Sequence, residues 1–176
     1  FRRNAYEAIG GHKSLSGEVV EDLALAKKIK SSGFKLLFLL GLDAVDLKMY
    51  SDFNSLWEGW SKNWFLGLNK NILKAVSSSM IVFCMFSIPW LVILSETILL
   101  LFLEEKSFLI PSAILSIIGI NLQLLLRIWT KHKFNFPLEN WWLMGLGGII
   151  ILFLGPASVW RTTTGRGWTW KGRSLA

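Results

Sequence analysis

The stretch SFLIPSAILSIIGINLQLLL, residues 107–126, decides the fold of this chain, because none of its twenty side chains is charged. A helix of about 20 apolar residues is long enough to cross the roughly 30 Å of hydrocarbon in a bilayer. Residues 141–160 form a second stretch of the same length that also has no charged residue. The sequence therefore predicts two transmembrane helices, Ser107–Leu126 and Trp141–Trp160.

A third apolar run, residues 75–103, is long for a single span, and it contains the dipeptide Pro89-Trp90. Proline inside a helix removes a hydrogen bond and bends the helix, so we expect a kink there. Glu96 is the only charged residue of the run. We expect the helix to end near Ser95, with Glu96 at the membrane interface. If the helix continues, Glu96 lies within the membrane and becomes a candidate functional residue.

The distribution of positive charge leaves the topology open. Cytoplasmic loops are enriched in Lys and Arg, which favours a cytoplasmic position for the region before residue 75 and for the loop after residue 126. Three complete spans would then carry the basic tail, residues 161–176, to the other side. Either the run 75–103 folds as a broken or re-entrant pair of helices, or the segment 141–160 does not cross completely.

Composition restricts the class of protein further. The chain has 176 residues, 52% of them hydrophobic, and a formal net charge of +7. Its cations flank the apolar stretches and form no patch interleaved with aromatic residues, so they suit anionic lipid better than nucleic acid. The single Cys84 lies in an apolar run and cannot form an internal disulfide bond. The partners expected from composition are a membrane and no nucleic acid.

Residues 55–74 predict an amphipathic helix at the membrane surface. At 100° per residue, aromatic and aliphatic side chains fall on one face and polar ones on the other. The apolar face holds Trp57, Trp60, Trp64, Phe65, Leu68 and Ile72, and the polar face holds Glu58, Lys62, Asn69 and Lys70. Such a helix places its rings at headgroup depth and its basic side chains in water or near phosphate.

The segment EVVEDLALA, residues 18–26, places two carboxylates, Glu21 and Asp22, at the start of a predicted helix. The good helix formers that follow, and Gly33 as a left-handed C-terminal cap, define that helix. The helix dipole favours the ionised carboxylate, which is the form that a general base needs. The alternative interpretation is ordinary capping of the helix by acidic residues.

Strands are expected in the first 54 residues. Phe1–Gly11 is interpreted as the end of a strand followed by a short helix. Phe34–Leu40 is a hydrophobic run, and residues 45–50 alternate apolar and polar side chains with the period of a half-buried strand. These two runs are predicted to pair as a hairpin around residues 41–43. Lys48 and Tyr50 would then project from its polar side.

Several motifs occur here in a particular order: FRRNAYEAIGGH, EVVEDLALAKKIKSSGF, KMY, WEGWSKN and WKGR. In this order, with apolar segments between them, they resemble the C-terminal part of membrane glycosyltransferases of family two. The nearest likeness is to bacterial enzymes associated with hopanoid and carotenoid glycosylation, with ceramide glucosyltransferases as more distant relatives. The resemblance covers nearly the whole chain.

The resemblance implies an α/β fold for residues 1–54, the acceptor half of a catalytic domain of the GT-A type. It also implies that Asp22 is the base that deprotonates the acceptor hydroxyl, with Glu21 beside it. Gly11 and His12 would shape the acceptor pocket, and His12 has a less favoured interpretation as a metal ligand. Trp57 and Trp60 would lie next to a lipid acceptor.

The same resemblance places a basic motif next to the donor diphosphate, and WEGWSKN, residues 57–63, occupies that position with Lys62 as its cation. The sequence departs from the more familiar Gln/Arg-x-x-Arg-Trp motif of the family. An ammonium lacks the bidentate fork of Arg, which weakens the assignment. Lys48 is the second candidate for the diphosphate.

The resemblance further implies a divalent metal, Mg²⁺ or Mn²⁺, in the full-length enzyme. The ligands would come from an Asp-x-Asp motif that this chain lacks, since Asp43 and Asp46 are wrongly spaced for it. The chain starts without Met and without a signal peptide, so we expect it to be a fragment of a longer polypeptide. Without the half that binds the donor, we expect the fragment to be inactive.

The predicted organisation has four parts: an α/β fragment (1–54), an interfacial helix (55–74), a membrane domain of about three spans (75–160) and a basic tail (161–176). The expected function is sugar transfer from a nucleotide-sugar donor to the hydroxyl of a membrane lipid. The expected location is a bacterial inner membrane, with the catalytic part in the cytoplasm. The alternative function is a membrane scaffold or transporter subunit, in which the acidic pair caps a helix and the tryptophans anchor it.

Overall fold

The fold comes from a computed structural model, which describes residues 1–18, 20–37, 39–41, 47, 49–102, 109–166, 168–170 and 173–175. The described chain is helical apart from one short pair of strands. Its α-helices are α1 (Arg3–Ala8), α2 (Glu21–Ser31), α3 (Phe53–Gly67), α4 (Ile72–Phe86), α5 (Ile88–Leu99), α6 (Ile110–Phe134) and α7 (Met144–Thr163). Two 3-10 helices, His12–Leu15 and Trp141–Leu143, precede α2 and α7.

The α/β fragment predicted for residues 1–54 is wrong, because the described residues of that segment contain helices and no strand. Residues 1–2 precede α1 directly, so of the strand end and short helix expected there, only the helix forms. The ion pair between Arg3 and Glu7, four residues apart on α1, supports it at 2.8 Å.

The hairpin predicted around residues 41–43 is not present in the described part of either run. Residues 34–37 and 39–41 have no regular secondary structure. A strand is stable only when a neighbouring strand forms hydrogen bonds with its backbone N–H and C=O groups, and the described residues provide no such strand here. Residues 42–46 and Lys48, where most of the second run and the tip of the hairpin fall, lie outside the described residues. The only strands described are β1 (Trp168–Trp170) and β2 (Arg173–Leu175), which pair antiparallel.

The chain divides into two compact units, one of residues 1–71 and 158–176 and the other of residues 72–157. The first unit has a small apolar core around the 3-10 helix and α2. Its buried members are Ile9, Leu15, Leu25 and Ile29, and Ala24 and Phe34 pack against them. The predicted helix cap is confirmed, because Gly33 has φ +80° and the amide of Phe34 bonds back to the carbonyl of Ile29.

The single helix predicted for residues 55–74 is wrong, because the chain breaks after Gly67 and α4 begins at Ile72. Asn69 and Lys70 both adopt a left-handed backbone, with φ of 56° and 55°. The amide of Lys70 bonds to the carbonyl of Phe65, as in a standard helix C-terminus. Trp57 and Trp60 therefore lie on α3, while Ile72 belongs to the second unit.

Among the described residues, two helices are long and apolar enough to cross a bilayer, Ile110–Phe134 and Trp141–Thr163. They contain most of the two predicted spans, so the chain carries the helices of a membrane protein. The third run forms α4 and α5, which bend by 48° at Ser87. This finding agrees with the broken or re-entrant pair, one of the two alternatives above, and with a kink next to Pro89.

Helix α5 continues past Ser95 to Leu99, so it does not end where we expected. Glu96 is buried, and the hydroxyl of Ser112 on α6 donates a hydrogen bond to its carboxylate. Its second carboxylate oxygen has no hydrogen-bond partner in the described part of the chain. The helix thus continues, as in the alternative given above, and Glu96 packs against a neighbouring helix.

Candidate functional site

The acidic pair occupies the first turn of α2, where Glu21 and Asp22 are both exposed. The N-cap residue is Val20, and its side chain makes no capping hydrogen bond. One carboxylate oxygen of Asp22 accepts a hydrogen bond from the amide of Leu23 at 2.7 Å. Asp22 is thus a solvent-accessible carboxylate held by its backbone at the positive end of a helix dipole.

A cavity of about 630 Å³ lies alongside α2, between that helix and the C-terminal turn of α3. Its volume falls within the range typical of small-molecule sites. The lining residues are Leu15, Gly17, Glu18, Val20, Leu23, Ala24, Lys27, Lys28, Ser31, Leu66, Asn69 and Lys70. Glu21 and Asp22 are adjacent in sequence to this lining and are not part of it.

The lining of the cavity has more basic than acidic residues. Lys27, Lys28 and Lys70 are among the lining residues, and Glu18 is the only acidic one. Lys27 donates a hydrogen bond to the side chain of Asn69 at 2.8 Å, which ties α2 to the turn after α3. This excess of lysine suits an anionic group, since ammonium ions neutralise phosphate as point charges.

The GGH motif forms a local structure built around Tyr6. Gly10 and Gly11 have φ of +77° and +53°, and Gly11 is buried under the ring of Tyr6. A Cβ atom on Gly11 would lie 2.7 Å from that ring, so the ring excludes a side chain. The hydroxyl of Tyr6 accepts a hydrogen bond from the amide of His12 and lies 2.6 Å from His12 Nδ1. His12 is therefore engaged by Tyr6.

The tryptophans of α3 are partly accessible. Trp60 is 43% exposed and its ring lies 6.4 Å from that of Trp64, while the half-buried Trp57 lies 6.0 Å from Phe53. Lys62 differs from expectation, because it is buried on the packed side of the helix with Ser61 and Phe65. Lys48, the second diphosphate candidate, lies outside the described residues.

Helix α3 begins with a reciprocal cap. The carboxylate of Asp52 accepts from the amide of Ser55, and the hydroxyl of Ser55 accepts from the amide of Asp52. Hydrogen bonds from the Ser55 backbone and the Ser51 side chain hold the pKa of Asp52 below its ordinary value. Partial burial raises the pKa of Tyr50, two residues earlier, above its ordinary value.

The structure thus brings together residues that the sequence did not group. Helix α3 ends at Gly67, so Asn69 and Lys70 lie in the turn after it and line the same cavity as Lys27 and Lys28 of α2. The segment GLNKN, residues 67–71, contains the turn-forming residues that could have predicted this end. Among the described residues, no three His, Cys, Asp or Glu side chains converge to hold a metal ion.

No protein-family model matches the chain, and no curated protein or solved structure is significantly similar to it. Its function must therefore be argued from its own residues.

Proposed function

We propose that this chain is the acceptor-side and membrane part of a glycosyltransferase, which moves a sugar from a nucleotide-sugar donor to a lipid hydroxyl. Asp22 acts as the general base. The observation that carries the proposal is the accessible carboxylate of Asp22, which lies one residue from the lining of a cavity.

In this mechanism the ionised carboxylate of Asp22 accepts the proton of the acceptor hydroxyl as the oxygen attacks the sugar. The amide of Leu23 donates a hydrogen bond to this carboxylate and orients it at the start of α2. Proton transfer to a positioned base contributes about 10²- to 10⁴-fold in rate. Glu21, its neighbour in the first turn of α2, would help to orient the base.

The cavity gives the leaving diphosphate a place to bind, because its lining has an excess of lysine. Lys27, Lys28 and Lys70 line it, and Asn69 orients Lys27 through a direct hydrogen bond. Lys62 remains a predicted diphosphate residue, but its burial on α3 makes the three lysines of the cavity better candidates. Positive groups at the point where charge develops lower the barrier to departure.

The apolar helices suit a lipid substrate. An embedded acceptor presents its hydroxyl at the headgroup plane, and the partly exposed Trp57 and Trp60 on α3 suit that depth. A bacterial inner membrane, with the catalytic part in the cytoplasm, belongs to this proposal. Any divalent metal of the full-length enzyme would need ligands from elsewhere, and no step above requires one from the described residues.

The test uses the full-length polypeptide in membranes, a panel of labelled nucleotide sugars and a total lipid extract as acceptor. We expect wild-type protein to label a lipid and Asp22→Asn to lower turnover by about 10²- to 10⁴-fold. Because Asp22 is exposed and Asn can still accept the hydrogen bond from the Leu23 amide, its replacement should cost at most about 1 kcal/mol of stability. Glu7→Gln, which removes an exposed carboxylate from α1, is the matched control and should keep full activity.

Two results would overturn the proposal. Wild-type protein that labels no lipid with any donor would favour the alternative, a membrane scaffold or transporter subunit. Full turnover in Asp22→Asn would remove the base assigned here. A loss of turnover that accompanies loss of folding is separated from a chemical effect by measuring membrane insertion and thermal unfolding of the same preparation.

A further inference from the structure

The C-terminal part of α6 and the residues just after it carry a group of charged and aromatic side chains that the proposed function does not use. Its members, which we call the Arg127 platform, are Arg127, Trp129, Lys131, Phe134 and Phe136. All of them belong to the second compact unit.

Arg127 lies near the edge of the hydrocarbon core, within reach of lipid phosphates, if α6 spans the bilayer. From Ile110 to Leu126 the helix has no charged residue, and at 1.5 Å per residue that segment is about 25 Å long. The hydrocarbon core is about 30 Å thick. The segment is a few Å shorter than the core, so the backbone of Arg127 lies at or just inside the hydrocarbon edge, and its long side chain can extend to the headgroups. Lys131 lies one turn further out.

The guanidinium of Arg127 is held in place by an aromatic ring. Its central carbon lies 5.8 Å from the centroid of the Phe136 ring. The ring of Phe134 lies 6.1 Å from that of Phe136 and 5.7 Å from that of Trp129. Trp129 and Phe136 are each 51% exposed. The three rings of the platform thus form a continuous aromatic surface, and the guanidinium of Arg127 lies over one of them, Phe136.

The hydrogen-bonding capacity of Arg127 is not filled by the protein. Its Nε atom is buried and has no hydrogen-bond partner among the described residues. No carboxylate of the described chain forms a salt bridge with Arg127. A buried donor without an acceptor is costly, and the planar fork of Arg matches the oxygens of a phosphate.

We propose that the Arg127 platform binds the phosphate headgroup of an anionic phospholipid. Arg127 donates hydrogen bonds to the phosphate oxygens, Lys131 adds a second positive charge four residues along the same helix face, and Trp129 and Phe136 contact the adjoining glycerol and acyl region. This site differs from the general attraction of basic residues to anionic membranes, because one guanidinium is fixed on a ring at one depth.

Native mass spectrometry of the full-length polypeptide in detergent tests this site. Phosphatidylglycerol and phosphatidylcholine with identical acyl chains compete for the protein. We expect wild-type protein to retain phosphatidylglycerol preferentially, and Arg127→Gln to lower that preference about tenfold. Lys133→Gln changes the net charge equally at a neighbouring position of α6, and it should lower the preference no more than about fivefold.

Two further variants separate the fixed site from diffuse attraction, and they remain informative if Arg127→Gln fails to fold. Phe136→Leu leaves the charge unchanged and removes the ring under the guanidinium, so we expect about a threefold loss. Arg127→Lys keeps the charge but loses the fork, so we expect an intermediate loss. Equal losses in Arg127→Gln and Lys133→Gln, with no loss in Phe136→Leu, would overturn the proposal, as would an absence of preference in wild-type protein.

Discussion

The side-chain amide of Gln123 on α6 donates a hydrogen bond to the backbone carbonyl of Met85 on α4, at 2.9 Å. In a regular helix that carbonyl would bond to the amide four residues later, which is position 89, and proline has no N–H to donate. The same amide also reaches the carbonyl of Phe86 at 3.2 Å. Trp90 completes the group by donating its indole N–H to the oxygen of Gln123.

Replacing Gln123 with Leu should therefore destabilise the membrane unit. In an apolar setting the carbonyl of Met85 would find no other donor, and a buried group left unpaired costs about 1–3 kcal/mol. Unfolding in mixed detergent micelles measures the loss. Asn121→Leu is the matched control, because the Asn121 amide is exposed and bonds only to a carbonyl of its own helix.

A double-mutant cycle with Pro89→Ala tests the reason for that loss. Alanine at position 89 restores the backbone N–H that Met85 lacks, so Gln123→Leu should cost less in that background than in the wild-type chain. Equal costs in both backgrounds would show that Gln123 stabilises the unit through Trp90 or through packing instead.

The glycines of α7 should differ in their tolerance of alanine. A Cβ atom on Gly155 would overlap Ser79 of α4, lying 2.8 Å from its Cβ and closer to its hydroxyl. A Cβ on Gly147 would meet nothing within 4 Å. We expect Gly155→Ala to destabilise by about 1–3 kcal/mol and Gly147→Ala to be near neutral. A fully tolerated Gly155→Ala in the same detergent assay would show that the helices can separate without cost.

Gly11→Ala should destabilise the first unit, which contains the acceptor side of the proposed enzyme. The residue has a positive φ, and the ring of Tyr6 occupies the space that a methyl group would need. We expect a destabilisation of at least about 1 kcal/mol. Gly17→Ala is the control, because nothing lies within 4 Å of its Cβ position. Thermal unfolding followed by circular dichroism compares the two variants.

The cap of α3 should depend on pH. Hydrogen bonds lower the pKa of Asp52 in the folded chain, so its contribution to stability is complete above the pKa of the unfolded state, near 3.8. It is lost as the pH falls through the lower folded value. Asp52→Asn should remove this part of the acid sensitivity. The free energy of unfolding of both proteins is measured between about pH 5 and pH 2, a range of one to two units around the ordinary pKa of Asp. If the variant loses as much stability as the wild-type protein over this range, the assignment is wrong.

Donor binding should depend on the lysines of the cavity, if the proposed function holds. Lys70→Gln or Lys28→Gln should raise the KM for the nucleotide sugar about tenfold with little change in kcat, because each removes a charge that binds the diphosphate. Lys30→Gln is the control, since Lys30 lies on the same helix and does not line the cavity. Equal effects in all three variants would indicate only a change in net charge.

Much of the helical architecture could be predicted from local patterns. The uncharged runs that become α6 and α7, the start of α2 at Glu21 and its cap at Gly33 all follow from residues close together in sequence. Local patterns failed at the predicted strands, because a strand is stable only when another segment pairs with it. The helical periodicity of residues 55–74 also led to a wrong prediction at residues 67–71. The apolar side chains keep that period across the turn, although Gly and Asn at these positions favour a break.

The sequence by itself determined that this chain has apolar helices long enough to span a membrane, since hydrophobic length and the absence of charge suffice for that. Only the tertiary structure decided which polar groups meet. It joined Gln123 to the carbonyl freed by Pro89, buried Glu96 against Ser112, and set Lys27 beside Asn69. These partners are far apart in sequence, and their pairing depends on packing between helices that no local period encodes.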